Sequence, residues 1–452
     1  MNVCQFGLAE KPTLGADYEC VEITLEGKAS RSALLIAALV VASFFSYQAV
    51  RLWIADHRIN SDNLNAIKRG AALEPGNAAA WDILGRFEQL DFVAGDPHKA
   101  IKAFEKAIQD DPLSAYYWMN LASAYESVGD VSHARDAFSH AREVYPLSAQ
   151  VAWNYGNFLL RQQQLGEGYA EIQLAVRSDP TLLPLAISRT WRSNHDVTML
   201  LNQVLPSDED AYFQALDFFA SAQQAEAGLT VWQRLISLGK PLALPRSFPF
   251  LDELIREDRA ADAVRVWRQA LGAASVSNQE PRNGSVIWNG NFAGDFTNGG
   301  LGWRWDNPLG ISIDFDAAMP QGKGRSVRLD FGGGNNPGIS QPFEYVPVEP
   351  SHTYRFRGYM RTESISTENG MRFSIYDPHH PNVVDLQTEN LTGTHLWNAE
   401  ELQVVTGPET YFLVVSLRRD PSRLFDNKLS GTVWIADLSL VPASSSEPGA
   451  QR

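Results

Sequence analysis

Apolar residues recur at helical spacing through the middle of the chain. One stripe, at positions i, i+3, i+4 and i+7, consists of Trp118, Leu121, Ala122 and Tyr125. Gly129 follows this stripe and ends the predicted helix, because glycine tolerates the left-handed conformation of a C-terminal cap. A second stripe then runs up to a proline and consists of Ala134, Phe138, Ala141 and Pro146. The pattern therefore predicts two helices packed against each other.

The same pair of stripes recurs on both sides of this segment. The earlier copy holds Trp81, Leu84, Gly85, Ala100, Phe104, Ala107 and Pro112, and the later one holds Trp153, Gly156, Leu159, Ile172, Ala175 and Pro180. A period of about 34 residues is typical of helical arrays, and these positions resemble the tetratricopeptide family. The resemblance implies an all-α superhelix whose concave face binds a protein partner.

We expect the helical array to span residues 60–272, with 183–210 fitting the pattern least well. The residues expected to pack the repeats are Trp81, Gly85, Phe104, Trp118, Ala122, Tyr125, Ala134, Phe138 and Pro146. An apolar stripe at helical spacing is nearly always core, so we assign these side chains to packing and not to ligand binding.

The periodicity changes from helix to strand beyond residues 273–285, which have the composition of a linker. Alternating or continuous apolar runs follow at 326–331, 354–359, 372–376, 411–417 and 432–441, separated by glycine and proline clusters. Short strands divided by turns indicate an all-β sandwich, which we place at 286–442. The polar residues 443–452 are predicted to be a disordered tail.

Both ends of this β region resemble the carbohydrate-binding jelly-roll modules attached to cellulases and xylanases. The opening resemblance rests on 288–292 and Trp303, and the closing one on 431–440, which contains Trp434. It implies that 288–292 contributes to the first strands, that a sheet face binds glycan, and that a structural calcium ion is held by Asp437 and Asn291. Ala436 stands where these modules usually have a second acidic residue, which would weaken the calcium site.

Sugars are bound by aromatic faces, which stack on their rings, and by planar polar groups, which hold their hydroxyls. The residues that we assign to this role are Trp305, Tyr354, Tyr359, Tyr376, Trp397, Arg357 and Arg372. Strand alternation puts Tyr354 and Tyr359 on opposite faces, one of which must be core. The alternative is that most of these aromatic side chains simply fill the sandwich.

An uncharged apolar stretch at 33–50 lies between Arg31 and Arg51. We predict a single transmembrane helix over 31–54, because this length can cross a hydrocarbon core of about 30 Å. Residues 1–30 would then form a disordered cytoplasmic tail, and the bulk of the chain would be periplasmic or extracytoplasmic. A cleaved signal peptide and a buried helix are the alternatives.

Composition and motifs argue against several classes of partner and site. A net charge of -15 argues against nucleic acid as a partner, which requires a basic surface. Both cysteines, Cys4 and Cys20, precede the apolar stretch, so no disulfide framework or zinc site is predicted. The sequence contains neither a phosphate-binding glycine loop nor a nucleophile elbow, and we predict no enzymatic activity and no cofactor beyond the calcium ion.

These expectations combine into a membrane-anchored, non-catalytic scaffold. Its repeats would bind a protein and its jelly roll a glycan, in envelope polysaccharide synthesis or export. One alternative is a structural adaptor whose sandwich binds protein. The other is a glycan-active enzyme, which would need two carboxylates facing each other across a cleft.

Overall fold

The computed structural model describes residues 28–61, 63–91, 95–320 and 324–443. Residues 1–27 of the predicted tail 1–30 and residues 444–452 of the predicted tail 443–452 lie outside these ranges. The chain divides into two compact units, 1–146 and 147–452. The described residues of the first unit form six helices: α1 (Lys28–Ile59), α2 (Leu64–Leu73), α3 (Ala78–Leu90), α4 (Pro97–Asp110), α5 (Ala115–Ser127) and α6 (Val131–Val144).

Helix α1 joins the apolar stretch to the first repeat without a break. From Arg31 onward it is long and apolar enough to cross a membrane, and the side chains described between residues 34 and 45 are exposed. Its last turns are different, because Ala55 and Ile59 are buried in one cluster with Ile67 of α2. The C-terminal end of α1 therefore acts as the first helix of a helical hairpin.

The repeat pattern has a direct structural reason in the first unit. A Cβ atom added at Gly85 would lie 2.5 Å from the ring of Phe104, so only glycine lets α3 and α4 approach this closely. The indole of Trp81 donates a hydrogen bond to the carbonyl of Pro75 (2.8 Å), and that of Trp118 donates to Pro112 (3.0 Å). The same contact thus recurs in successive repeats, at the same distance along the sequence.

The second unit begins with eight helices: α7 (Ala149–Arg161), α8 (Leu165–Ser178), α9 (Leu183–Asn194), α10 (Val197–Gln203), α11 (Glu209–Ser221), α12 (Ala225–Ser237), α13 (Phe248–Arg256) and α14 (Ala260–Ala273). Short 3-10 turns at Pro180–Leu182 and Leu244–Ser247 precede α9 and α13. The stretch that fits the pattern least, 183–210, is helical, but α10 has only seven residues.

Two antiparallel sheets follow and form the sandwich. Their strands are β1 (Ile311–Asp316), β2 (Ser326–Gly332), β3 (Ile339–Pro347), β4 (Thr353–Ile365), β5 (Arg372–Tyr376), β6 (Asp385–Gln387), β7 (Gly393–Val405), β8 (Phe412–Arg419) and β9 (Ser430–Pro442). One sheet has the order β1-β2-β9-β4-β7 and the other β3-β8-β5-β6. The predicted fold class, an apolar N-terminal helix, helical repeats and an all-β jelly roll, is confirmed.

The opening segment of the sandwich differs from the expectation. Residues 288–292 form turns and not a strand, because this short stretch packs against the end of β9 without forming a ladder. The Val286 amide donates to the Leu440 carbonyl (2.9 Å), and the Leu438 amide donates to the Gly290 carbonyl (2.8 Å). The two ends of the domain therefore meet, as the resemblance implied, but through isolated hydrogen bonds.

Helices and sandwich share a core within the second unit. Trp288, Leu301 and Phe412 of the β region are buried in the same cluster as residues of α13 and α14. A Cβ atom added at Gly300 would lie 2.5 Å from the ring of Trp267 in α14. The sandwich therefore packs directly on the last repeat helices, and the irregular residues after α14 do not hold the two folds apart.

Candidate functional site

The outer face of the four-stranded sheet carries a candidate binding surface. Along β8, Leu413, Val415 and Leu417 point into the sandwich core. Alternation turns the other side chains outward, and these are Phe412, Val414, Ser416 and Arg418. Helices cover the Phe412 end of this face, because Phe412 belongs to the core that the sandwich shares with α13 and α14.

A row of partly exposed aromatic rings lies on this face. Phe343 and Tyr345 of β3 are 5.8 Å apart between ring centroids and meet edge to face. Tyr376 of β5 presents a third ring. Burial raises the pKa of Tyr376 above its ordinary value. Tyr345 adds to this shift, and Arg418 opposes it. The Tyr376 phenol therefore stays neutral and can both donate and accept a hydrogen bond.

Planar polar groups surround these rings. Arg372 donates to the Gln387 amide oxygen (3.1 Å), and Arg418 donates to Asp420 through two nitrogens at 3.0 and 3.1 Å. The Nε–H group of Arg372 is buried and has no protein acceptor. Guanidinium and amide groups beside aromatic rings are the side chains that bind hydroxyl-rich ligands.

Residues of α13 and of the loop before β1 form a wall beside the aromatic row. The guanidinium of Arg304 lies 5.1 Å from the Tyr345 ring centroid and donates to Asp252 of α13 (2.6 Å). The Nδ1 atom of His379 lies 2.5 Å from Oδ1 of Asp258, a residue that follows the end of α13. Between wall and sheet lies a cavity of about 290 Å³, lined by Asp252, Ile255, Arg256, Arg304, Tyr345 and His379. The site is thus a cleft with a sheet floor and a helical wall.

Two predicted sugar-binding residues lie on this face, Tyr376 and Arg372. Two others do not have accessible rings: Trp305 is 6% exposed and Tyr354 is 2% exposed. Both belong to the core of the sandwich, where the Trp305 indole donates to Asn307 and the Tyr354 hydroxyl accepts from the Glu349 amide. Trp305 and Tyr354 are therefore packing residues, because strand alternation turns Tyr354 inward and the chain folds over Trp305.

The remaining predicted residues lie on the five-stranded sheet. Arg357 donates to the Tyr359 hydroxyl (2.7 Å) and pairs with Glu401 (3.5 Å), which leaves Tyr359 only 8% exposed. Trp397 is partly exposed and lies where the pairing of β7 with β4 shifts register. Arg357, Tyr359 and Trp397 therefore lie on a different sheet of the sandwich from Tyr376 and Arg372.

The sequence interpretation missed the central aromatic pair. Phe343 and Tyr345 are two residues apart, which is the strand period, but Pro342 and Glu344 interrupt an apolar pattern. Glu344 is fully buried and accepts a hydrogen bond from the Trp288 amide (2.7 Å). The hydrogen bond to Trp288 explains why Glu344 lies on the core side of β3. Because the two residues are far apart in sequence, the sequence alone did not show that Phe343 and Tyr345 point outward.

The predicted calcium ligands lie at the junction of the two domain ends. Asp437 is exposed, Asn291 is partly exposed, and they flank the hydrogen bond between Leu438 and Gly290. Among the described residues, no group of three or more histidine, cysteine or acidic side chains could hold a metal ion. Calcium binding at Asp437 and Asn291 would depend on backbone oxygens as well, and it stays a prediction.

A second candidate surface lies in the first unit, between the leading helices of two successive repeats. Asp82 of α3 is buried, accepts from Asn120 of α5 (2.6 Å) and pairs with Arg86 (3.1 Å). Burial raises the pKa of Asp82, and the bonds to Asn120 and Arg86 oppose this shift. Gln89 donates to Ser123 (3.0 Å) across the same pair of helices. The surface offers polar groups held in fixed positions.

Part of the helical region is similar to a known protein family. A family model for the tetratricopeptide repeat matches residues 89–141 and 124–182. The chain carries tetratricopeptide repeats. The first tetratricopeptide domain of Spaghetti (RPAP3), bound to the HSP90 peptide SRMEEVD, aligns with 18% identity over 27% of this chain and 94% of that one, at a TM-score of 0.24.

Two further solved structures are similar to part of the chain. A structure described as "CBM4 structure and function" aligns with 14% identity over 35% of this chain and 99% of that one, at a TM-score of 0.26. The enzymatically active domain of bacteriophage CBA120 tailspike protein 4 aligns with 12% identity over 37% of this chain and 22% of that one, at a TM-score of 0.26. No curated protein matches the chain. None of these likenesses assigns a function.

Proposed function

We propose that this chain is a non-catalytic, membrane-anchored scaffold whose repeats bind a protein and whose sandwich binds a glycan. The observation that supports glycan binding is the aromatic row of Phe343, Tyr345 and Tyr376 beside Arg372 and Arg418. These aromatic and guanidinium side chains are partly exposed, so a polymer can contact them.

The chemistry of this face favours a sugar over an apolar ligand. Aromatic faces bury the C–H faces of a sugar ring, whereas its hydroxyls need partners in the plane of the ring. The partly exposed guanidinium of Arg372 and the neutral Tyr376 hydroxyl can supply them. Each hydrogen bond gained adds about 1 kcal/mol, so the face suits weak, repeated contacts along a polysaccharide.

The anchor and the repeats set the context of this binding. Helix α1 is proposed to hold the chain in a membrane, with the bulk of the protein on the extracytoplasmic side. The polar surface around Asp82 and Asn120 is proposed to bind the protein partner, since its groups are fixed by hydrogen bonds between α3 and α5. A role in envelope polysaccharide synthesis or export would join these functions.

The test is binding of the detergent-solubilised full chain to neutral and acidic polysaccharides, by affinity electrophoresis and calorimetry. We expect saturable binding that weakens about tenfold in Tyr345→Ala, because the loss of one stacking ring costs about 1.4 kcal/mol. Tyr411→Ala is the matched control, since Tyr411 is a 39% exposed tyrosine outside this row.

Two results would contradict the proposal. Equal losses in Tyr345→Ala and Tyr411→Ala would show that the aromatic row is not the binding face. A folded chain that binds no polysaccharide would leave the protein adaptor as the better conclusion.

A further inference from the structure

The cleft does not end at the sheet floor. A second cavity, of about 640 Å³, is lined by Asp217, Ala220, Ser221, Gln223, Pro249, Asp252 and Arg256. It shares Asp252 and Arg256 with the smaller cavity beside Tyr345. The two cavities therefore adjoin at these two residues of α13, one toward the C-terminal end of α11 and the other beside the aromatic row.

The lining of the larger cavity includes polar side chains of both charges. Asp217 and Asp252 supply acceptors, Arg256 supplies donors, and Ser221 and Gln223 supply both. An apolar peptide would cover these polar groups without adding hydrogen bonds, at a cost of about 1–3 kcal/mol for each group left unsatisfied. A polyhydroxylated chain can satisfy donors and acceptors together. Both cavities lie within or near the range of about 300–1,000 Å³ that is typical of ligand sites.

The wall is held rigidly against the floor. Asp252 and Asp258 bond to Arg304 and His379 of the β region at 2.6 and 2.5 Å. Gly300 packs on the Trp267 ring, and this contact leaves no room for a side chain. Because wall and floor are already joined, a ligand that touches both pays little for ordering the protein.

We propose that the glycan bound by the aromatic row extends across α13, so that the repeat helices form part of the glycan site. This inference rests on the proposed function. The ligand class is an extended polysaccharide, since the ligand must contact both Tyr345 and Ser221, which line different cavities. The repeats and the sandwich then act as one receptor and not as two independent modules.

The test compares matched variants of the detergent-solubilised full chain. Ser221 is the last residue of α11, is exposed, and its hydroxyl donates to the Asp217 carbonyl (2.8 Å). Ser237 is the last residue of α12, is exposed, and its hydroxyl donates to the Arg234 carbonyl (2.7 Å). Ser237 lines neither cavity. Replacing each serine with tryptophan therefore adds the same bulk at equivalent helix ends.

Affinity is measured by calorimetry for a polysaccharide that binds and for its short oligosaccharides. We expect Ser221→Trp to change the affinity for long chains by about tenfold or more, which corresponds to about 1.4 kcal/mol, and to leave short oligosaccharides unaffected. Ser237→Trp should change neither. A change in either direction supports the proposal, because tryptophan can block the ligand or stack on it.

The outcomes separate the two proposals. If Tyr345→Ala loses binding while Ser221→Trp behaves like Ser237→Trp with long chains, the helical wall is not part of the site and the proposed function stands. If Tyr345→Ala has no effect, or if no polysaccharide binds, glycan binding on the aromatic row fails and the extended site fails with it.

Discussion

Gly300 offers a sharp test of the shared core. Its φ is +60°, and an added Cβ atom would lie 2.5 Å from the Trp267 ring and 3.2 Å from Leu251. Gly239 has nearly the same φ, +62°, but a Cβ atom there would meet nothing within 4 Å. Gly300→Ala and Gly239→Ala therefore impose the same backbone cost, and only the first also overfills the contact between α14 and the sandwich.

The magnitudes follow from these two contributions. The left-handed conformation costs a non-glycine residue about 1–2 kcal/mol, and this applies to both variants. Overpacking a closed core costs about 1–3 kcal/mol more, and this applies only to Gly300→Ala. We therefore expect the Gly300 variant to be less stable than the Gly239 variant by about 1–3 kcal/mol.

Hydrogen exchange measured by mass spectrometry on the full chain can resolve this difference locally. Peptides from α13, α14, β3 and β8 should lose protection together in Gly300→Ala, because these elements open as one unit. Peptides from α4 and α6 serve as an internal reference. Equal losses in the two variants, or loss in the helices with unchanged protection in β3 and β8, would refute the shared core.

Three further predictions use other contacts. Burial raises the pKa of Glu344, so its stabilising contribution is full below its ordinary pKa of 4.5 and falls as pH rises above that value; Glu344→Gln should flatten the pH dependence of the melting temperature, and an unchanged slope would contradict this. His379→Phe should remove the pair with Asp258 and lower the free energy of local opening after β5 by about 1 kcal/mol, which would speed hydrogen exchange there. An unchanged exchange rate would show that the pair does not stabilise this segment. Calcium should raise the melting temperature, and Asp437→Asn should abolish that shift; no shift at millimolar calcium would exclude the site.

The repeats could be predicted from sequence because their determinants are local. Trp118 and Ala122 lie on one helical stripe whatever the rest of the chain does, and Phe138 fills the adjoining groove. The strands at 372–376 and 432–441 were found for the same reason, since alternation is visible within a few residues. Local periodicity thus fixed the fold class.

The candidate binding face could not be predicted in the same way. Alternation shows that Tyr354 and Tyr359 point in opposite directions, but the choice of core face depends on the second sheet. Tyr345 becomes part of a cleft only because Asp252, on a distant helix, binds Arg304. Such contacts join residues far apart in sequence, and a pattern read along one strand does not contain them.

Helix α1 has a mechanical consequence. Its 32 residues correspond to a rod of about 48 Å, and the same rod supplies Ala55 and Ile59 to the core of the first repeat. A membrane or protein that holds the apolar portion of α1 therefore also holds the first repeat. A rotation or tilt of the helix would turn that repeat by the same angle. The distance between the apolar portion and the first repeat is therefore set by a rigid helix and not by a flexible linker.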